Sequence, residues 1–278
     1  MPGPVGAIDV QRYEGEVLSS AKDLLVTEEP LEIRLGHGPL GERNEFRLSV
    51  TMRTPGHDEE LTRGFLFTEG LITDPAQLVR VVHCEDVKPE ERGNVVRAEL
   101  HPDLEVDPAR WQRNFYTTSS CGVCGKSSID AVHVRCATKP ADWGRVDPAL
   151  ITALPDRMRA AQTVFKHTGG IHAAALFNRE GELLILREDV GRHNAVDKVI
   201  GAALAGRPAT NNRLLLVSGR AGFELVQKCV VAGIPLMAAV GAPSTLAVQL
   251  AKDSGLTLIG FLRGERFNIY AGAGTAKS

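Results

Sequence analysis

The sequence predicts an α/β chain, α+β overall, with a three-layer C-terminal core and a smaller mixed N-terminal subdomain. Three observations predict it. From Pro148 onward, apolar strands alternate with amphipathic helices, the order that implies right-handed crossovers and a largely parallel sheet. Before that point, period-two strands surround a single helix. The composition is 43% hydrophobic, 24% charged and only 5% aromatic, enough for an aliphatic core and unlike a disordered chain.

In chain order, Leu31-Glu-Ile-Arg-Leu35 alternates with period two, the pattern of a half-buried strand. Glu45 to Met52 does the same and puts Phe46, Leu48, Val50 and Met52 on one face. From Asp58 to Leu71, apolar residues recur at helical spacing behind the acidic turn Asp58-Glu-Glu60, a favourable charge for a helix N-terminus. Val79 to Cys84 and Asn94 to Leu100 read as strands joined by a charged turn. Thr117 to Ser128 has loop composition, and Thr138 to Asp147, with Pro140 and Gly144, reads as a linker. The boundary therefore divides a mixed subdomain over residues 1–140, which carries the loop, from an α/β subdomain over 141–278.

In the second part, Pro148 to Ala161 reads as helix. Ala173 to Phe177 and Glu182 to Leu186 form a hairpin around Asn178-Arg-Glu-Gly181. Asn194 to Ala205 reads as helix, and Arg213 to Val217 is a continuous apolar run, the pattern of a strand covered on both faces. Helix Phe223 to Ala232, strand Leu236 to Val240, helix Ser244 to Asp253 and strand Thr257 to Leu262 complete the alternation.

The 278 residues carry 32 basic and 34 acidic side chains, a net charge of −2 that gives no global attraction to nucleic acid or anionic lipid. No apolar run reaches the roughly 18 residues of a membrane helix, and Met1 to Val10 lacks the basic and apolar regions of a secretory signal. A cytoplasmic protein is the expectation. Five cysteines, an odd number, argue against a disulfide framework.

Cys121-Gly-Val-Cys124 is the sharpest local signal. Two thiols three positions apart can meet through one turn, a spacing that serves disulfide exchange, metal ligation or sulfur relay through a persulfide. Structural zinc needs four ligands, and no second pair exists. A thioredoxin-like site expects an apolar strand before the pair, whereas Thr117-Thr-Ser-Ser120 is polar. A relay needs an accessible thiol, which a polar loop suits best. One competing constellation is His83-Cys-Glu85 with the pair: zinc-dependent nucleobase deaminases combine H-x-E with P-C-x-x-C. Here Ser120 replaces the proline, and His83 falls in a strand.

Four polar or glycine-rich segments fall at strand ends and turns: His167 to His172, Arg187 to Asn194, Ser218-Gly-Arg-Ala-Gly222 and Phe261 to Arg266. Open α/β sheets bind ligands outside the carboxyl ends of their strands. Ser218 to Gly222 follows an apolar strand and opens a helix, so its amides can hold a phosphate. Arg263 and Arg266 can add guanidinium contacts to a pyrophosphate or a guanine edge. Asp189, His193 and His172 have no nucleophile near them in sequence, so no triad is built from them.

These residues carry a resemblance. Glu29-Pro-Leu31, Thr54-Pro-Gly-His-Asp58, Leu61 to Leu66, Thr118 to Gly125, Thr168-Gly-Gly-Ile-His172, Arg187 to Lys198 and Gly260-Phe-Leu-Arg together resemble the FdhD family of formate dehydrogenase accessory sulfurtransferases, over about Glu28 to Gly272. The resemblance implies a fold like the cytidine deaminase core and a homodimer; with a single C-x-x-C and an H-x-E that lacks the expected context, no resident metal is expected. It implies that persulfide sulfur from a cysteine desulfurase is carried on Cys121, with Cys124 beside it. The acceptor implied is the molybdenum or tungsten bis(molybdopterin guanine dinucleotide) cofactor, delivered to the catalytic subunit of formate dehydrogenase. The stretch expected to bind that cofactor, guanine nucleotide included, maps to Phe261, Leu262, Arg263, Gly264, Glu265 and Arg266. Two other readings stay open: a zinc-dependent nucleobase deaminase, and a chaperone that carries the cofactor without transferring sulfur.

Overall fold

The computed structural model of the chain describes residues 3–108, 139–206 and 210–272. Within them lie a two-stranded ribbon, a four-stranded sheet and a six-stranded sheet. The ribbon pairs β1 (Val5–Glu14) with β2 (Val17–Val26) around Gly15 and Glu16, both at positive φ. The sequence hides it: neither strand alternates cleanly, and Ile8, Tyr13, Val17, Leu18, Leu24 and Leu25 are exposed.

The four-stranded sheet has the order β4-β3-β6-β5, built from β3 (Glu29–His37), β4 (Asn44–Arg53), β5 (Leu78–His83) and β6 (Val95–Leu100). The sequence predicts all four strands, β3 and β4 from their period-two alternation and β5 and β6 as strands about a charged turn. One expectation fails within them. Val50 is exposed, not on the core face with Leu48. The register slips by one residue between Ile33 and Arg34, leaving Leu48 as a bulge, and a one-residue slip sends later side chains to the other face. Helix α1 (Asp58–Thr68) lays Leu61 and Leu66 on this sheet against Leu31, Ile33, Leu35, Val96 and Ala98.

The six-stranded sheet has the order β12-β11-β10-β9-β7-β8. Its strands are β7 (His172–Phe177), β8 (Leu183–Asp189), β9 (Leu214–Val217), β10 (Leu236–Ala239), β11 (Thr257–Arg263) and β12 (Arg266–Ala271). It is mixed rather than largely parallel. Only β9, β10 and β11 run together, while the β7–β8 and β11–β12 hairpins add antiparallel edges. Strand β12, which packs Phe267, Ile269 and Ala271 into the cores on the sheet's two faces, lies beyond the last strand the sequence predicts.

Both faces of this sheet are covered, as the continuous apolar run in β9 requires. Leu215 and Val217 face α4 (Arg192–Gly206), α5 (Phe223–Val231) and α6 (Thr245–Ser254). Leu214 and Leu216 face α2 (Pro148–Ala161) together with Trp143 and Val146. The stretch expected as a linker thus contributes two core side chains. Asp147 caps α2 by accepting from Ala149 N–H at 2.9 Å, with Pro148 in the first turn, where its missing N–H costs nothing. A short helix, α3 (Thr163–Thr168), follows α2 and supports the ribbon.

The two sheets are joined through α1 and α4, which cross with almost no gap. A Cβ on Gly64 would stand 2.6 Å from the Asp197 carbonyl carbon, and one on Gly201 would stand 2.7 Å from that of Glu60. Only glycine at both positions permits that approach. Buried polar groups fix the same joint. Lys228 Nζ donates to Thr68 Oγ1 at 2.8 Å and lies 3.0 Å from both Glu69 and Asp197 carboxylates. Burial opposes the Lys228 charge, but those carboxylates outweigh it and push its pKa up.

Candidate functional site

The parallel strands β9, β10 and β11 end on one edge of the sheet, where α/β folds take ligands. Two segments singled out in the sequence meet there through the loop after β10. The turn Ser218 to Gly222 is laced to it by Gly241 N–H to Gly219 O at 2.9 Å and Ala221 N–H to Ala242 O at 3.1 Å. On the other side, Phe261 N–H donates to Gly241 O at 3.0 Å.

Phe261 to Arg266 forms the end of the β11–β12 hairpin. Phe261 is 41% exposed at φ 52, a left-handed conformation that a bulky residue rarely adopts. Leu262 is fully buried against the α2 face, so only its backbone can meet a ligand. Gly264, at φ 55, and Glu265 make the turn. Arg263 and Arg266 are direct cross-strand partners, which places both side chains on one face. Arg263 Nε donates to Val240 O at 3.2 Å, and the Arg266 side chain is exposed, with no side-chain hydrogen bond among the described residues. The hairpin therefore puts both arginines on one face, with Arg263 turned toward Val240.

A cleft of about 380 Å3 opens beside Ser218, between α2, α3 and the start of β7. Gln162 lines it, 2% exposed. Its Nε2 donates to Glu188 Oε1 at 3.3 Å, while its Oε1 has no partner among the described residues. Leaving such a group unpaired costs roughly 1–3 kcal/mol. Glu188 is committed elsewhere too, accepting from Thr163, Val164 and Phe165 N–H at 2.8–3.0 Å and so capping α3. His172 packs its ring on Gly219. Burial, with the nearby Arg192 and His193, holds the His172 pKa below the usual histidine value despite Asp189. Arg159 stacks 3.6 Å over the Phe165 ring. The sequence offered no local signal for Arg159 or Gln162, and Glu188, within the segment Arg187 to Asn194, meets them only through tertiary packing.

The Arg187 to Asn194 segment is structural. Arg187 pairs with Glu60, Nη2 to Oε1 at 2.6 Å. Asp189 is fully buried, 2.7 Å from Lys198 Nζ, and accepts from Gly191 N–H, Asn194 Nδ2 and Thr54 N–H. Lys198 in turn donates to Thr54 O at 2.8 Å. This network clamps the Thr54 loop onto the start of α4. His193 pairs with Glu224 at 2.9 Å and not with Asp189. That bond is the main reason the Glu224 pKa falls below the usual carboxylate value.

Cys121 and Cys124 lie outside the described residues. Of the cysteines described, Cys229 is fully buried and Cys84 partly so, and burial pushes both thiols up, away from the reactive thiolate. His83 ends β5 with Nε2 3.6 Å from Asp58 Oδ2, and Glu85 follows beyond the strand. Among the described residues no three His, Cys, Asp or Glu side chains gather to hold a metal, and no helix is long and apolar enough to cross a membrane.

Residues 26–277 match the FdhD/NarQ family model. Proteins named sulfur carrier protein FdhD are similar along nearly their whole lengths. That of Streptomyces coelicolor is 51% identical over 95% of this chain and 93% of its own, and that of Mycobacterium tuberculosis is 46% identical over 95% of each. A crystal structure of a formate dehydrogenase accessory protein from Desulfotalea psychrophila superposes with a TM-score of 0.72 at 24% identity, covering 96% of this chain and 97% of that one.

Proposed function

The chain belongs to the FdhD/NarQ family, and from that premise we propose that it is a sulfurtransferase. It accepts persulfide sulfur from a cysteine desulfurase on Cys121 and passes it to the bis(molybdopterin guanine dinucleotide) cofactor of molybdenum or tungsten, as the substrate later delivered to formate dehydrogenase. The observation that carries this reading is the end-to-end similarity to proteins named sulfur carriers, at about half identity. The same proposal takes the six-stranded sheet and its helices as a cytidine-deaminase-like core and the chain as a homodimer.

The chemistry is consistent with the residues. The Cys121 thiolate attacks the outer sulfur of the donor persulfide, forming Cys121–S–SH and releasing the donor thiolate. With Cys124 in a resolving role, its thiolate attacks the inner sulfur, the outer sulfur leaves as hydrosulfide for the acceptor, and the two thiols that supply its two electrons end as a Cys121–Cys124 disulfide that an external dithiol must reduce before the next cycle. The arginine pair on the β11–β12 hairpin, Arg263 and Arg266, suits the pyrophosphate of a dinucleotide.

Intact-mass analysis after incubation with a cysteine desulfurase and cysteine tests this directly. A gain of about 32 Da, one sulfur, is expected on Cys121. The Cys121→Ala variant should gain nothing and fail to activate formate dehydrogenase while unfolding at the wild-type temperature. Full activation by a Cys121→Ser, Cys124→Ser double variant would instead make the protein a cofactor-carrying chaperone. A metal assay near one zinc per chain would return the deaminase reading.

A further inference from the structure

We infer that the outer edge of β2 is the surface through which two copies of this chain pair, joining two β1–β2 ribbons into one four-stranded antiparallel sheet. The edge is open. Among the described residues β2 pairs only with β1, in one unbroken register. The two-residue turn at Gly15 and Glu16 makes Glu14 and Val17 a hydrogen-bonded pair. Alternate residues from Leu18 to Leu24 therefore turn their N–H and C=O outward. Of those groups only Leu24 N–H is engaged among the described residues, by Asp23 Oδ1 of the same strand at 2.9 Å, in solvent. Helix α3 supports the ribbon from one face, where the cross-strand partners Val10 and Ala21 are half-buried, and not along this edge. The strand carries neither the proline nor the bulge that commonly protects an edge.

The side chains commit the edge to a second copy. Val17, Leu18, Leu24 and Leu25 are all exposed, and they stand symmetrically about Ala21. A two-fold axis beside Ala21 sets Leu18 opposite the partner's Leu24 and Val17 opposite the partner's Leu25, each contact occurring twice. It sets Lys22 opposite Ser20 and Asp23 opposite Ser19, so no like charges face each other. In that register the outward groups also coincide, Leu18 with Leu24 and Ser20 with Lys22, as an antiparallel ladder requires. Moving the axis to Lys22 opposes two lysines; moving it to Ser20 sets Leu18 against Lys22 and Val17 against Asp23. Tyr13, the cross-strand partner of Leu18, widens the apolar row on one face. The outer edge of β1 has no such match. Its exposed apolar residues, Ile8 and Tyr13, point to opposite faces and cannot stand opposite each other, so pairing closes at two copies. Four strands with apolar rows also supply the support that a two-stranded hairpin lacks. The edge gives the homodimer proposed above its contact surface, and rests on that reading.

Sedimentation velocity on the full chain tests it with three variants. Ser20→Pro removes an outward N–H and leaves the bonds to β1 in place. Leu18→Lys with Leu24→Lys, and Leu18→Glu with Leu24→Glu, put like charges opposite each other in a self-pair and unlike charges in a mixed pair. These positions are exposed and outside the three cores, so each variant is expected to melt at the wild-type temperature. Wild type should sediment as a dimer. Each variant alone should dissociate at least about tenfold more readily, and an equimolar mixture of the lysine and glutamate variants should recover the dimer. Variants that pair with wild-type affinity, or a mixture that stays monomeric, overturn the β2 edge while leaving a homodimer through another surface. A monomeric wild type removes the edge and the homodimer together.

Discussion

Replacing Gly201 by alanine pits two effects of opposite sign against each other. Alanine in a helix interior is favoured over glycine by about 0.8–1 kcal/mol. The new methyl, however, would stand 2.7 Å from the Glu60 carbonyl carbon and 2.9 Å from the Gly64 amide nitrogen, closer still to the Glu60 oxygen. Ordinary carbon contacts begin near about 3.5 Å, so α1 and α4 must part by on the order of 1 Å. The obstacle is backbone, which cannot swing aside as a side-chain tip can. Overpacking of this kind costs typically ~1–3 kcal/mol, and rigid surroundings point to the upper end. The strain wins, by about 2 kcal/mol. For a chain of this size that is a fall in Tm of roughly 4–8 °C. Urea unfolding of wild type and variant, compared at equal slope, measures it. Equal or greater stability in the variant would refute the reasoning and show that the crossing has slack.

Three further outcomes are expected. Arg266→Ala should weaken GDP binding about ten- to a hundredfold by calorimetry, since a charge-assisted hydrogen bond is worth roughly 1.5–3 kcal/mol; a change under about threefold would remove the hairpin from the site. Lys228→Met strands the buried Asp197 carboxylate and should cost ~3–5 kcal/mol in a denaturant titration, an account that a loss below about 1 kcal/mol would contradict. Glu224 has its pKa depressed chiefly by the bond from His193, so its contribution to stability is fully present above the ordinary glutamate range and fades as pH falls through it toward the folded pKa; Glu224→Gln should flatten that acid limb, and superimposable acid-unfolding curves would argue against the linkage.

Elements whose information is local were legible. The apolar run at Arg213 to Val217, the acidic turn before Leu61 and the helical stretch from Pro148 are each read within a few residues, and β9, α1 and α2 stand where those signals put them. What escaped depends on partners far along the chain. Helix α3 has six residues, too few to hold itself, and its first turn is capped by Glu188 from β8. The bulge at Leu48 exists only in the register between two strands. The site divides in the same way. Arg263 and Arg266 were readable as a pair, and the hairpin sets them on one face. Arg187 looked like a ligand group because its partner, Glu60, lies 127 positions away.

The β1–β2 ribbon contributes no residue to any of the three cores, and its strands hydrogen-bond to each other rather than to either sheet. Among the described residues its main support is the short helix α3, and a two-stranded hairpin so lightly held is marginal in water, so in a lone protomer it is expected to open more readily than the three cores. Amide hydrogen exchange would therefore run on two clocks: residues 5–26 would exchange through cheap local openings, while β9 and α4 would exchange only when the whole chain unfolds. A melting curve followed by a probe in the ribbon would report on the ribbon and say nothing about the protein.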